Sequence, residues 1–328
     1  MKLKRLMMAV VISVFAMSIP MTAYAATNEL TGNEVSDSIT NQRPIAIMVD
    51  NEKTALPHYG VGEADIVYEM MNSTKNGRIT RLMCLYKDWA NLKQTGSIRS
   101  TRSTNVLISD EYNAVLIHDG GPFYIDTYLS QPYAAHISGG FSRIKNGKAT
   151  EFTEYVFGNE LVKRFGSAKL STAYSYAPER NTHFLFNTTD ADLNSAVVAN
   201  TVDMSNVFTH NKSMLKYNTT TKTYDYYVYG NIHKDAEDSQ VATFKNVILQ
   251  NVTFSELDKN GYLIYNVIGE GSGYYITNGK AIPITWKKGS ETGITKYYDA
   301  VGAEIKVNKG KTYIGILPSD TWSKLVIK

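Results

Sequence analysis

The sequence predicts an α+β protein, with an N-terminal mixed α/β domain followed by a smaller, mostly β C-terminal domain. Three observations carry this. From Arg43 to about Ser205, short apolar runs alternate with stretches of helical period. From Asn206 onward the helical period disappears, and short alternating runs are divided by turn residues. Within that second half, Asn278-Gly279 stands between two such runs and marks a tight hairpin.

The elements follow in order. Residues 1–25 have the three parts of an export signal: Lys2, Lys4 and Arg5, an apolar run from Leu6 to Met17, and Ala23-Tyr24-Ala25 before Ala26. The apolar run is short for a membrane span, so the mature chain is expected to start at Ala26, without a transmembrane segment, outside the cytoplasmic membrane. Residues 26–41 are polar and lack periodicity, which predicts a flexible tether. Residues 42–205 form the expected N-terminal domain. Its strands are Pro44–Val49, Ile66–Glu69, Ile79–Tyr86 and Ala114–His118; its helices are Thr101–Ser109, Phe123–Leu129, Asn159–Phe165 and Ala191–Asn200. Residues 206–328 form the mostly β domain, with strands at Phe244–Gln250, Tyr262–Val267, Tyr274–Thr277, Ile282–Trp286, Glu304–Val307 and Thr312–Leu317.

Composition excludes some classes of function. The chain has 34 basic and 31 acidic residues. Removing the leader takes away three basic residues and leaves 31 of each, so nothing in the charge favours a nucleic-acid partner. Cys84 is the single cysteine. It rules out an internal disulfide, lies too far from the leader to take a lipid, and reads as a small core residue. No metal-ligand spacing and no cofactor motif occurs.

Ligands of α/β sheets gather beyond the carboxyl ends of strands. Here those ends carry Asp50-Asn51, Glu69 and His118-Asp119-Gly120-Gly121. Gly96-Ser97-Ile98-Arg99-Ser100-Thr101-Arg102-Ser103 links a strand to a predicted helix. A helix start and two guanidinium forks suit a phosphate or carboxylate. The plainer alternative pairs Arg99 and Arg102 with Asp50, Glu69 or Asp65. His118 is the candidate acid–base group, and Asp50 and Glu69 are candidate carboxylates beside it. His136, His183, His210 and His233 read as structural or solvated. No nucleophile elbow or Ser-x-x-Lys motif is present.

The motifs together resemble a known family. Arg43-Pro44-Ile45-Ala46-Ile47-Met48-Val49-Asp50-Asn51, Ala64-Asp65-Ile66-Val67-Tyr68-Glu69, Ile79-Thr80-Arg81-Leu82, Gly96 to Arg102 and Ala114 to Gly121 follow one another. Lys245 to Gln250, Gly271-Ser272-Gly273, Gly279 to Lys288 and Gly310 to Ile314 continue the series. This is similar to the YerB-like family of bacterial envelope proteins, mostly Gram-positive. The resemblance implies a two-domain envelope protein without an established activity. Many members resemble lipoproteins, whereas no cysteine follows this leader. Members also tend to carry Pro-His-Asn after the central arginine; after Arg143 this chain reads Glu151-Phe152-Thr153-Glu154-Tyr155.

Three functions are therefore expected, in order. The first is an exported protein at the extracellular face of the envelope that binds an anionic envelope component or envelope protein. Arg99, Arg102, Arg81, Asn51, Gly120 and Gly121 would hold the ligand, with a contact surface around Trp286. The second is an envelope hydrolase using Asp50 or Glu69 with His118. The third is a structural scaffold.

Overall fold

The computed structural model describes residues 26–174 and 183–328; the expected export signal over 1–25 lies outside them. A ten-stranded sheet organises the molecule. Its strands in chain order are β1 Ile45–Asp50, β2 Ile66–Met71, β3 Thr80–Tyr86, β4 Val115–His118, β5 His136–Ser138, β6 Asn246–Val252, β7 Gly269–Thr277, β8 Lys280–Lys288, β9 Lys296–Tyr298 and β10 Thr312–Pro318. Across the sheet the order is β9-β8-β7-β6-β10-β2-β3-β1-β4-β5. Strands of the first half therefore occupy one side and strands of the second half the other. The seam is β10 beside β2, a parallel pairing from Thr312 with Ile66 to Ile316 with Met70.

Every residue of β1, β2, β3 and β4 is buried. Strands covered on both faces read as continuous apolar runs rather than alternating ones. Alternate side chains feed two cores. Ile45, Ile47, Val49, Leu82 and Cys84 enter one core, with Leu161 and Phe165 of helix α3 (Gly158–Ser167) and Leu215, Tyr224, Tyr226 and Phe244 of a second, six-stranded sheet. Ala46, Met48, Tyr68, Met70 and Met83 enter the other, with Val106, Leu107 and Ile108 of helix α1 (Ser103–Glu111). Cys84 is one of these core residues, and burial pushes its thiol up to about 12. A short helix, α2 (Asp126–Leu129), extends a 3-10 turn at Phe123–Ile125.

The molecule is mostly strand with few helices, and several expectations change. Residues 191–200 are not helical. Val198 bridges Lys280, and the Ala199 amide donates to the Gly279 carbonyl at 2.8 Å. Two adjacent valines and the Asn and Ser side chains weaken a helix here, and the β7–β8 hairpin offers an edge to pair with. That hairpin turns at Asn278 and Gly279, both at positive φ (49° and 72°), as a two-residue type I′ turn requires.

The segment 26–41 is docked rather than free. Leu30 is fully buried, Asn28 Nδ2 donates to Asp65 Oδ1 at 3.0 Å, and Lys87 Nζ reaches Glu29 at 2.9 Å and the carbonyls of Thr40 and Gln42. One buried leucine and a buried lysine hold what its polar composition left loose. Both apolar cores draw side chains from either side of the seam, so the two halves do not have separate cores. Trp286 is not a contact surface either. It is buried over Gly271, where a Cβ would meet the indole at 2.7 Å, and its Nε1 donates to the Asn251 carbonyl.

Candidate functional site

At the Asp50 end of β1 the sheet changes partner. β4 pairs with Ile45–Ile47 only. Beyond that, the loop from Ser97 takes over: the Asp50 amide donates to the Ser97 carbonyl, and the Arg99 amide to the Met48 carbonyl, both at 3.0 Å. The loop thereby places Arg99 beside Asp50. Arg81 comes from β3, directly across from Asp50. Arg102 caps α1 with extended backbone, and its amide donates to Asn105 Oδ1 at 3.1 Å. The helix start is closed in this way by Asn105, while Ser103 and Thr104 are buried in its first turn.

These three arginines line one cleft of about 490 Å³. Asp50 of β1, Asn72 and Ser73 after β2, Tyr262 from the Phe254–Tyr265 hairpin, His210, Glu52, Glu151 and Phe152 share its wall. Arg99 is an ion-paired residue: Nε lies 2.5 Å from Asp50 Oδ2, and Nη2 lies 2.7 Å from Glu151 Oε2. Arg81 and Arg102 are different. Each is more than nine-tenths buried, and neither forms an ion pair among the described residues. Arg81 Nη1 donates to the Ser100 carbonyl and Arg102 Nη1 to the Thr101 carbonyl, at 2.8 and 2.7 Å. The Nε of each is buried without a hydrogen-bond partner, as are Asn72 Oδ1 and His210 Nε2. Arg102 stacks over the Tyr262 ring, 4.2 Å from its centroid. Burial pulls the Arg81 guanidinium down to about 9; Asp50 opposes this, and the charges of Arg102 and Arg99 add to it. Burial lowers Arg102 too.

The remaining candidates stand elsewhere. Glu69 is fully buried, does not line the cleft, and accepts from five side chains. Thr80 (2.7 Å), Ser213 (2.6 Å) and Asn51 (3.3 Å) reach Oε1, and Tyr226 (2.9 Å) and Tyr313 (2.7 Å) reach Oε2. Burial raises its pKa. Asn51 belongs to that cluster and does not line the cleft. His118 is buried, with Nδ1 at 2.9 Å from the Gly120 carbonyl and Nε2 at 3.2 Å from His136 Nδ1; burial pulls it down to about 4. As an acid–base group His118 would need an open side, but here the neighbouring strand β5 and its His136 lie against it, and the histidine is structural. Gly120 (φ 68°) turns the chain, and a Cβ on Gly121 would meet Ile125 Cδ1 at 2.1 Å. Gly120 serves the turn and Gly121 the close approach of Ile125, and neither lines the cleft. The hydrolase constellation of Asp50, Glu69 and His118 is therefore not assembled. His210, read as structural or solvated, is in the cleft wall instead, while His183 pairs with Glu111 and His233 with His58, each at 2.9 Å.

The geometry defines a class first: a strand-rich, α+β protein whose long sheet ends in an arginine-lined cleft. The family follows from comparison. Residues 30–172 match the family described as "Protein of unknown function (DUF3048) N-terminal domain", and residues 201–314 match its C-terminal domain. The chain belongs to this YerB-like family. It is 24% identical over 326 residues to "Putative lipoprotein YerB" of Bacillus subtilis (strain 168), a match covering 94% of this chain and 88% of that protein. The crystal structure of the YerB protein from Bacillus subtilis superposes with a TM-score of 0.78 at 21% identity, covering 92% of this chain and 99% of that one. That likeness shows the shared fold.

Proposed function

We propose that this is an exported protein at the extracellular face of the cell envelope that binds an anionic group through Arg81, Arg99 and Arg102. One observation carries the reading: two buried guanidinium groups that form no ion pair among the described residues, Arg81 and Arg102, line the same cleft. Buried charges are ordinarily paired, and planar guanidinium forks match carboxylate and phosphate oxygens. A wall polymer, a lipid head group or a peptide carboxylate supplies such a group. The leader with its Ala23-Tyr24-Ala25 site supports export and cleavage after Ala25. Mass spectrometry of exported protein should find Ala26 at the N-terminus; a retained leader or an acylated start overturns that part.

The binding test uses calorimetric titration with purified wall polymer and with anionic lipid vesicles, on wild type, Arg81→Gln and Arg102→Gln. Weakened binding with unchanged thermal stability supports the cleft. A large loss of stability in both variants, with binding intact in the folded fraction, favours a scaffold.

A further inference from the structure

The cleft holds charges of both signs, and only some of them are paired with one another. Its wall contains three guanidinium groups, from Arg81, Arg99 and Arg102, and three carboxylates, from Asp50, Glu52 and Glu151. Asp50 and Glu151 both spend their charge on Arg99. Glu52 forms no ion pair among the described residues; its carboxylate takes only a 3.4 Å hydrogen bond from the Thr54 amide. Arg81 and Arg102 likewise form no ion pair among the described residues; the charges of Asp50 and Asp258 act on them only from a distance, although Glu52 and Glu151 line the same space. A purely structural network would be expected to pair these groups, because an unpaired buried cation is costly. A simple anion would meet the two arginines and also the carboxylates, which repel it. A ligand with one charge of each sign satisfies both sets at once.

We infer that the cleft selects a zwitterion, in which a phosphate or carboxylate group meets Arg81 and Arg102 and an ammonium group meets Glu52 and Glu151. This rests on the anion-binding reading above and narrows its ligand class. The exposed Glu151 is then a specificity residue, which Arg99 holds in place until an ammonium group shares it. Asn72 and His210, each with an unpartnered buried atom at the wall, supply hydrogen bonds to the portion of the ligand between its charges.

Matched pairs of small probes test this by titration. O-phosphoethanolamine is compared with glycerol 3-phosphate, and alanyl-alanine with N-acetyl-alanyl-alanine; within each pair only the zwitterion has the ammonium. The expected result is that at least one zwitterion binds roughly fivefold or more tightly than its partner. Whichever pair responds identifies a phosphate or a carboxylate source. That preference should collapse towards one in Glu52→Gln/Glu151→Gln, whose fold is checked by thermal denaturation, while Arg102→Gln loses both members of the pair. If the anions bind as well as the zwitterions, and Arg102→Gln still abolishes binding, the zwitterion inference fails and the anion cleft stands. If glutamine at 52 and 151 tightens zwitterion and anion equally, Glu151 is a competitor for Arg99 and the inference also fails. If none of the four probes binds, both readings fall.

Discussion

Glu69 and the arginines of the cleft are polar groups withdrawn from water near the same strand ends, and the fold treats them in opposite ways. Glu69 is surrounded by five donors, two of them tyrosines on the far side of the seam, Tyr226 and Tyr313. Arg81 and Arg102 donate to one backbone carbonyl each and form no ion pair among the described residues. A cluster with all its hydrogen bonds made adds to specificity and rigidity. A cluster left short is stable only because surrounding structure holds it, and it gains on meeting a ligand. The difference separates a cluster whose hydrogen bonds are all made from one with capacity to spare, without any appeal to residue type.

Experiments that strike each cluster should separate them. The largest effect belongs to Glu69→Leu, which leaves buried hydroxyl and amide donors without an acceptor. We expect a loss of about 3–5 kcal/mol in urea unfolding; a loss below about 1 kcal/mol would mean that the five contacts contribute little. Glu69→Gln adds a pH signature. Because burial raises the Glu69 pKa in the folded state, the unfolded chain releases its proton first. Wild-type stability then falls as pH rises from the ordinary carboxylate range towards the raised value, and the glutamine variant should lack that slope.

Arg102→Gln is next and should act on binding instead, weakening it by roughly 1.5–3 kcal/mol while thermal stability holds. Equal losses in both would erase the contrast. His58 and His233 test an intermediate case, a buried pair sharing one hydrogen bond across the two halves. Burial pulls His233 down to about 4 and His58 well below its usual value. Their contribution is complete above about pH 6.5 and is lost as pH falls towards about 4. Acid unfolding followed by circular dichroism should show this, with a shallower slope in His233→Asn. The smallest effect is expected at Asp320→Asn, which removes the exposed pair with Arg78 at 2.8 Å and should cost less than about 1 kcal/mol.

Much of the sheet was legible because burial on both faces leaves continuous apolar runs. β1 to β4 follow from Ile45–Val49 and its counterparts, and Asn278-Gly279 fixed its own hairpin. The seam was not legible: β10 joins β2 across more than 240 residues, and parallel pairing leaves no local turn signal. In the site, Arg99 and Arg102 stood out as a strand-to-helix turn. Asn72, His210 and Tyr262 did not, since each arrives from a different loop. His118 misled because a strand end predicts a ligand only when no further strand lies alongside, and β5 does. The 26–41 segment misled because the buried Leu30 and the lysine that anchors it are isolated in the sequence.

The seam also sets the order in which the chain can finish folding. A chain delivered from its N-terminus presents its first half before its last long strand, in synthesis and equally in the export proposed above. Until Thr312–Pro318 is in place, β2 presents a bare hydrogen-bonding edge whose residues, Ile66 to Met71, are all buried at completion. An open apolar edge of that kind is a template for unwanted pairing. Emergence of the C-terminus is therefore the closing step of assembly. Chains truncated before residue 312 should accumulate as aggregates rather than as a folded N-terminal half.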